Sequence, residues 1–141
     1  MRAVLDVNVL ISAVISPLGA PGRILQFWEQ DKFELATSPP ILIELERVIH
    51  YPKIQGKYNI PAEFVKEFLG MIQGGAILIE PIINITTIKE DPSDNRYLEC
   101  AVASESSHIV TGDKHLLDLN AFKGIQILTP AGFLALLELG G

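Results

Sequence analysis

Short apolar segments alternate with segments of helical periodicity along most of the chain, and this alternation limits the folds open to it. Five segments have the length and composition of buried strands: 2–6, 33–36, 76–79, 108–111 and 125–128. Helices are predicted between and after them, over 7–14, 23–30, 38–50 and 94–105 and from residues 61, 114 and 130. Strands that alternate with helices form βαβ units, so the pattern predicts an α/β fold with a mostly parallel sheet.

The chain is long enough for one domain with a sizeable core. It has 141 residues, of which 48% are apolar, and such a composition argues against disorder. Residues 16–22 are predicted to form a loop, and the secondary structure of residues 82–89 is not decided by their sequence. No segment has the composition of a linker between domains. We therefore expect a single domain over residues 1–141.

The charge balance restricts how the chain could hold a nucleic acid. Its formal net charge is −6, whereas proteins that bind nucleic acid mainly by releasing counterions are usually basic. A nucleic-acid substrate would therefore need a local basic patch or a metal ion. Mild acidity by itself is equally explained by solubility.

The single cysteine and the hydropathy pattern bear on the compartment. Cys100 is the only cysteine, so an internal disulfide is excluded and the cytoplasm is expected. Within its helix Cys100 is expected to serve as a small apolar side chain. No apolar run approaches the ~20 residues that span a membrane, and the first apolar run is interrupted by Asp6 and Asn8 and has no basic leader.

Two aspartates follow predicted strands. Asp6 ends the first strand, and Asp113 follows the segment 108–111 after one glycine. Each has an ordinary explanation, since Asp caps helices well and Gly-Asp is a common turn pair. Ends of parallel strands meet at one sheet edge, however, which is the usual place for a ligand-binding group. Asn8, two residues beyond Asp6, is a candidate for orienting it or a bound water.

Asp94 opens the helix predicted over 94–105. It lies three and four residues before Tyr97 and Leu98, on the apolar stripe of that helix rather than on its solvent face. A carboxylate directed inward needs a partner or a metal. A helix cap is the alternative role, for which Ser93 is a competitor.

Two glutamates compete for a place in the same cluster. On the helix over 38–50, Glu44 and Glu46 flank the apolar face on opposite sides at similar angles. The helical wheel does not distinguish them, and periodicity alone indicates that each is an edge charge in solvent.

Carboxylates that converge at one sheet edge indicate a divalent cation. They cannot all stay charged side by side without one, and oxygen-rich clusters suit Mg²⁺ or Mn²⁺. Such a metal in turn suggests attack on a phosphate. His50, His108 and His115 lack zinc-ligand spacing, and no dinucleotide, P-loop or nucleophilic-serine motif is present.

Four blocks of the sequence resemble those of PIN-domain proteins, and most closely the prokaryotic toxin-like members that include the VapC type. The blocks occur in the same order as in that family and cover nearly the whole chain. They are Asp6-Val-Asn-Val-Leu-Ile-Ser-Ala, Ser38-Pro-Pro-Ile-Leu-Ile-Glu-Leu, Asp91-Pro-Ser-Asp-Asn-Arg and Ile109-Val-Thr-Gly-Asp-Lys-His-Leu-Leu.

The resemblance implies a three-layer α/β/α sandwich and a Mg²⁺- or Mn²⁺-dependent ribonuclease. It maps the acidic set onto Asp6, Glu44, Asp94 and Asp113, which favours Glu44 over Glu46. It also implies an RNA substrate, an antitoxin partner and a homodimer, for which Trp28, Phe64 and Phe68 are bulky candidates at the interface. Residues that could support the site are Asn8, Asp91, Arg96 and Lys114.

The sequence departs from the family pattern at two positions. Val7 stands where many relatives carry Thr or Ser, which removes a hydroxyl near Asp6 but no ligand. Lys114 places a positive charge beside Asp113, where it could bind phosphate or weaken metal binding.

Two other classes of function remain open at the level of sequence. One is a catalytically silent module that acts through an antitoxin or another protein. The presence of all four carboxylates counts against this class. The other is a Mg²⁺-dependent phosphatase or a phospho-receiver. Asn8 occupies the place of the second Asp in a phosphatase Asp-x-Asp pair, and a receiver would gather paired acids where Asp6 stands alone.

Overall fold

The computed structural model describes residues 1–140. Its strands are β1 (Arg2–Leu5), β2 (Glu34–Thr37), β3 (Ile77–Leu78), β4 (His108–Val110), β5 (Ala121–Phe122) and β6 (Ile125–Leu128). They form one sheet in the order β3-β2-β1-β4-β6-β5. All neighbours in the sheet are parallel except β5 and β6. The predicted mostly parallel sheet is confirmed.

The sheet changes winding direction beside β1. The chain proceeds from β1 to β2 and β3 on one side, then crosses to β4 and β6 on the other. In parallel sheets of this kind, the carboxyl ends of the strands that flank the change form a crevice. The crevice here lies after β1 and β4, which are followed by Asp6 and Asp113.

Helices cover the sheet in the expected three-layer α/β/α arrangement. They are α1 (Val7–Ile15), α2 (Ala20–Glu29), α3 (Pro39–Ile49), α4 (Pro52–Tyr58), α5 (Ala62–Gly75), α6 (Asn95–Ala103), α7 (Lys114–Leu117) and α8 (Pro130–Glu138). A 3₁₀ turn over Pro92–Asp94 leads into α6. The helix predicted over 94–105 is therefore shorter than expected at both ends.

The loop predicted over 16–22 is shorter than expected, because α2 already begins at Ala20. Pro21 fits this position since proline is tolerated in a first helical turn. Gly22 permits the close packing of α2 on the preceding loop: a Cβ atom there would lie 2.1 Å from the carbonyl oxygen of Pro17. A bulkier residue would push the start of α2 away from the loop.

Segment 79–91 contains no helix or strand, and this answers which structure the stretch 82–89 adopts. Buried Asn95 on α6 fixes it: its side-chain amide accepts from the N–H of Ile88 at 2.9 Å and donates to the carbonyl of Ile88 at 2.8 Å. Glu99 accepts from the N–H of Ile85 at 2.8 Å. These side chains replace the strand pairing that the segment lacks.

Burial bears on the roles of several other side chains. Trp28 and Phe68 are buried in the core, so of the aromatic residues expected at a dimer interface Phe64 alone is exposed, at 48%. Ser38 occupies the N-cap position of α3, but its buried hydroxyl makes no capping hydrogen bond. Cys100 is fully buried, as a small core side chain should be.

Among residues 1–140, no single helix is both long and apolar enough to cross a membrane. Helices α1 and α2 pass a test of length and composition together, but they are bent by 97° at the break between them.

Candidate metal centre

A polar cleft of about 150 Å³ lies at the crevice after β1 and β4. All four predicted carboxylates line it, and so do three of the four predicted supporting residues. Its lining residues are Asp6, Val7, Asn8, Glu44, Val48, Asp91, Ser93, Asp94, Arg96, Tyr97 and Asp113. The sheet thus brings together groups that are more than 100 positions apart in the sequence.

Asp6 is fixed on three sides. Its backbone N–H donates to the carbonyl of Val110 at 3.0 Å and so prolongs the pairing of β1 with β4. Its Oδ1 accepts from the N–H of Asn8 at 2.9 Å, which caps α1, and its Oδ2 accepts from the hydroxyl of Thr111 at 2.7 Å. The capping role and a place in the cleft are therefore compatible, and the cap helps to orient the carboxylate.

The carboxylate of Asp94 is buried in a way that a bound metal ion would make less unfavourable. The residue is 7% exposed, and its Oδ2 is buried without a hydrogen-bond partner among residues 1–140. Burial, followed by the negative charges of Asp113 and Asp91, raises the pKa of Asp94 to about 7. Asp94 makes no side-chain capping bond to α6, so the alternative role of helix cap is not supported.

Asp113 lies beside Asp94 at the start of α7. Its Oδ1 accepts from the N–H of His115 at 2.7 Å and from that of Leu116 at 3.4 Å, so it caps this short helix. Ligand atoms of Asp94, Asp113 and His115 all lie within 4.8 Å of one another. The grouping of Asp94 with Asp113 agrees with the predicted set, whereas His115 was not predicted to be part of it.

Glu44 and Glu46 separate clearly in the structure. The side chain of Glu44 is 23% exposed and lines the cleft, while Glu46 lies exposed outside it. Arg47 donates to both carboxylate oxygens of Glu44, at 2.7 and 2.5 Å. Arg96 lies 3.6 Å from the same carboxylate. Glu44 is thus the glutamate at the cleft, and two guanidinium groups balance its charge.

The supporting residues differ in their positions. Asn8, Asp91 and Arg96 line the cleft, and Arg96 is held by a 2.7 Å bond from its Nε to the carbonyl of Ser93. Asp91 accepts from the hydroxyl of Ser93 at 2.6 Å. Lys114 is exposed and does not line the cleft, so the structure does not bring it together with the others.

Sequence reasoning missed two buried side chains at the end of β1, one bonded to Asp6 and one to its neighbour Val7. Thr111 is fully buried and donates to Asp6. Tyr97 accepts from the N–H of Val7 at 3.2 Å. Burial, followed by the charge of Asp6, raises the pKa of the Tyr97 hydroxyl, which therefore stays neutral beside the carboxylates. Tyr97 shares the apolar stripe of α6 with Asp94, and this shared face is the signal that could have identified it.

The donor set fits a hard divalent cation. Several carboxylates converge on one polar cleft, and a buried oxygen of Asp94 has no partner there. Mg²⁺ and Mn²⁺ prefer carboxylate oxygens. Asp6, Asp94 and Asp113 are the residues that would hold such an ion, with Glu44 at the cleft wall, and their role as ligands stays a prediction.

The fold and the cleft define an α/β protein whose acidic site lies where the sheet changes winding direction. A sequence model of the PIN domain matches residues 2–115. The chain therefore belongs to the PIN domain family, as its sequence blocks indicated. PIN domains are generally nucleases and typically use divalent metals.

Individual relatives agree with this assignment. Over 119 residues the chain is 34% identical to the uncharacterised protein MJ1680 of Methanocaldococcus jannaschii, an alignment that covers 84% of this chain and 75% of that protein. The structure of PAE2754 from Pyrobaculum aerophilum is similar, with a TM-score of 0.67 and 14% identity over 99% of this chain and 90% of that chain.

A second solved structure has the same fold. VapBC2 from Rickettsia felis, bound to a DNA fragment from their promoter, matches with a TM-score of 0.60 and 14% identity. The match covers 92% of this chain and 98% of that one. At this level of identity the two solved structures support the fold of the chain.

Proposed function

We propose that this chain is a Mg²⁺- or Mn²⁺-dependent endoribonuclease that hydrolyses RNA phosphodiester bonds. The observation that carries the proposal is the buried Asp94 oxygen without a partner, in a cleft that also holds Asp6, Glu44 and Asp113. Membership of a family whose members are generally nucleases supports the same reaction class.

The chain's own residues have distinct tasks in this proposal. Asp6, Asp94 and Asp113 hold the ion, and Glu44 contributes its carboxylate from the cleft wall. When bound, a divalent ion supplies an activated water as nucleophile and neutralises charge on the phosphate. Arg96 faces the same cleft and contacts the RNA backbone, since guanidinium groups suit phosphate oxygens.

The experiment is an RNA cleavage assay on purified protein with Mg²⁺, with Mn²⁺ and with EDTA. Wild type should cleave with either metal and stop in EDTA. Asp6→Asn keeps the size of the side chain and should lower the cleavage rate by at least about 100-fold. Mutation of residues that only hydrogen-bond to metal ligands already costs about 10–100-fold in activity. Equal rates for wild type and Asp6→Asn in Mn²⁺ would show that the assigned site is wrong.

The partner that we propose is an antitoxin, which makes the chain the toxin of a toxin–antitoxin pair. The structural similarity to VapBC2, a complex bound to promoter DNA, supports this proposal. A protein encoded by the neighbouring gene should co-purify with the chain and suppress its RNA cleavage. If a neighbour binds but the purified chain never cleaves RNA, the alternative of a catalytically silent binding module gains.

We also propose a cytoplasmic homodimer. Of the three aromatic candidates for an interface, Phe64 on α5 is the exposed one, at 48%. Light scattering at micromolar concentration should give twice the monomer mass of 15.5 kDa, and a monomer would count against the dimer. The single buried Cys100 suits a reducing compartment.

A further inference from the structure

We propose that His115 is a ligand of the metal centre, and that its imidazole makes the centre prefer Mn²⁺ to Mg²⁺. This inference rests on the proposed metal-dependent function, because it adds a nitrogen ligand to the same site. The observation behind it is the position of one nitrogen of His115 within 4.8 Å of carboxylate oxygens of both Asp94 and Asp113.

The local backbone holds the imidazole beside the carboxylates. His115 lies in the first turn of α7, and its N–H donates to Asp113 Oδ1 at 2.7 Å. Its Nδ1 is 3.7 Å from the same oxygen, which is too long for a hydrogen bond. Within residues 1–140 the ring makes no hydrogen bond, so it is available for a ligand.

A second and independent observation points to a cation at this spot. Asp94 is 7% exposed, and its Oδ2 has no hydrogen-bond partner in the part of the chain that the structure describes. A buried carboxylate oxygen without a partner costs free energy that a cation would recover. The ligand atoms of Asp94, Asp113 and His115 lie within 4.8 Å of one another, which is close enough for a single ion to contact all three.

The mixed donor set determines which ion is preferred. Carboxylate oxygens accept Mg²⁺ and Mn²⁺ alike, whereas imidazole suits transition metals. Mg²⁺ also demands near-ideal octahedral geometry and gives up its waters reluctantly. A site of two or more carboxylates and one imidazole therefore favours Mn²⁺. A purely acidic site would show little such preference.

The test uses Mn²⁺ alone as the probe, with untagged full-length protein. Pulsed electron paramagnetic resonance of the wild type should show hyperfine coupling from a directly bound imidazole nitrogen. The coupling should vanish in His115→Gln and persist in His50→Gln, a matched change at an exposed histidine whose ring bonds to the carbonyl of Glu46. By titration calorimetry, His115→Gln should weaken Mn²⁺ binding at least about tenfold and change Mg²⁺ binding much less.

The outcomes separate this inference from the proposed function. Wild type that binds Mn²⁺ without nitrogen coupling, or that binds no Mn²⁺, overturns the assignment of His115. The wild-type spectrum decides this even if His115→Gln fails to fold. RNA cleavage that persists without nitrogen coupling would leave the ribonuclease proposal standing and remove the ligand. Nitrogen coupling without RNA cleavage would keep His115 as a metal ligand and overturn the ribonuclease proposal.

Discussion

The hydroxyl of Thr111 donates a 2.7 Å hydrogen bond to Oδ2 of Asp6, which joins the ends of β1 and β4 across the crevice. Both side chains are buried. The same hydroxyl accepts from the N–H of Asp113 at 3.0 Å, so one threonine links two of the predicted ligands. It thereby ties the carboxylate of Asp6 to the backbone of Asp113.

We expect Thr111→Val to damage both stability and activity. Valine keeps the shape of the side chain but leaves a buried carboxylate oxygen without its donor, which should cost about 1.5–3 kcal/mol of unfolding free energy. Cleavage of RNA should fall at least about tenfold. Thr111→Ser restores the hydroxyl and should recover most of the activity. If Thr111→Val matches wild type in urea unfolding and in cleavage, the bond has no positioning role.

Asp94→Asn should stabilise the metal-free protein at neutral pH and above. Asp94 is buried beside Asp113 and Asp91, so in EDTA its charge is unfavourable. Asparagine removes the charge at constant size. The melting temperature in EDTA should rise by roughly 4 °C for each kcal/mol of relieved repulsion. A clear fall in melting temperature would instead make Asp94 a structural residue.

The same carboxyl predicts a pH dependence with a definite sign. Its pKa is raised in the folded protein to about 7, against about 4 in an unfolded chain. Between these values the folded state binds more protons, so its stability in EDTA falls as pH rises from about 4 to about 7. Asp94→Asn lacks this ionisation. The difference in melting temperature between Asp94→Asn and wild type should therefore grow across that window and level off above it.

Arg96 and Lys114 should differ in their contribution to RNA binding. Arg96 lines the cleft, whereas Lys114 is exposed outside it. Arg96→Gln should weaken RNA binding in the presence of a non-cleaving metal such as Ca²⁺. It should also flatten the dependence of log K on log salt by about 0.7, the value for one phosphate contact on a single strand. Lys114→Gln, a matched loss of one positive charge, should leave that slope unchanged.

Much of the fold follows from local sequence signals. The apolar runs in β1 and β4 are short and nearly continuous, as buried parallel strands are, whereas exposed Gln126 interrupts the run in β6. Helix α4 was missed for two reasons. Pro52 and Gly56 are residues that usually interrupt helices, and none of the residues of α4 is buried, so the segment has no apolar periodicity. Strand β5 was missed because two residues are too few to give a pattern.

Strand β5 also depends on the turn that follows it. Lys123 and Gly124 both have positive φ, at 49° and 82°, and they join β5 to β6 as a two-residue hairpin loop with Phe122 opposite Ile125. Turns of this kind require positive φ at both central residues. Lysine is not a typical residue there, so the local signal was weak.

The site was predictable where it depends on strand ends and not where it depends on side-chain direction. Asp6 and Asp113 follow strands, and a parallel sheet necessarily gathers them. His115 was set aside because sequence spacing tests for ligands supplied by one segment, whereas its neighbour Asp94 belongs to the turn before α6, a distant part of the sequence. The choice between Glu44 and Glu46 likewise depends on how α3 rotates about its axis against the sheet.

Substitutions of Glu44 and Glu46 should distinguish an enzyme from a catalytically silent binding module. Glu44 lines the cleft, and Glu46 lies exposed two positions away on the same helix. Both are changed to glutamine at nearly equal cost in helix propensity. Glu44→Gln should lose most RNA cleavage while Glu46→Gln keeps it, and both should fold and bind a partner normally. Equal cleavage by the two variants would refute the placement of Glu44 in the site, and loss of partner binding without loss of cleavage would favour the binding module.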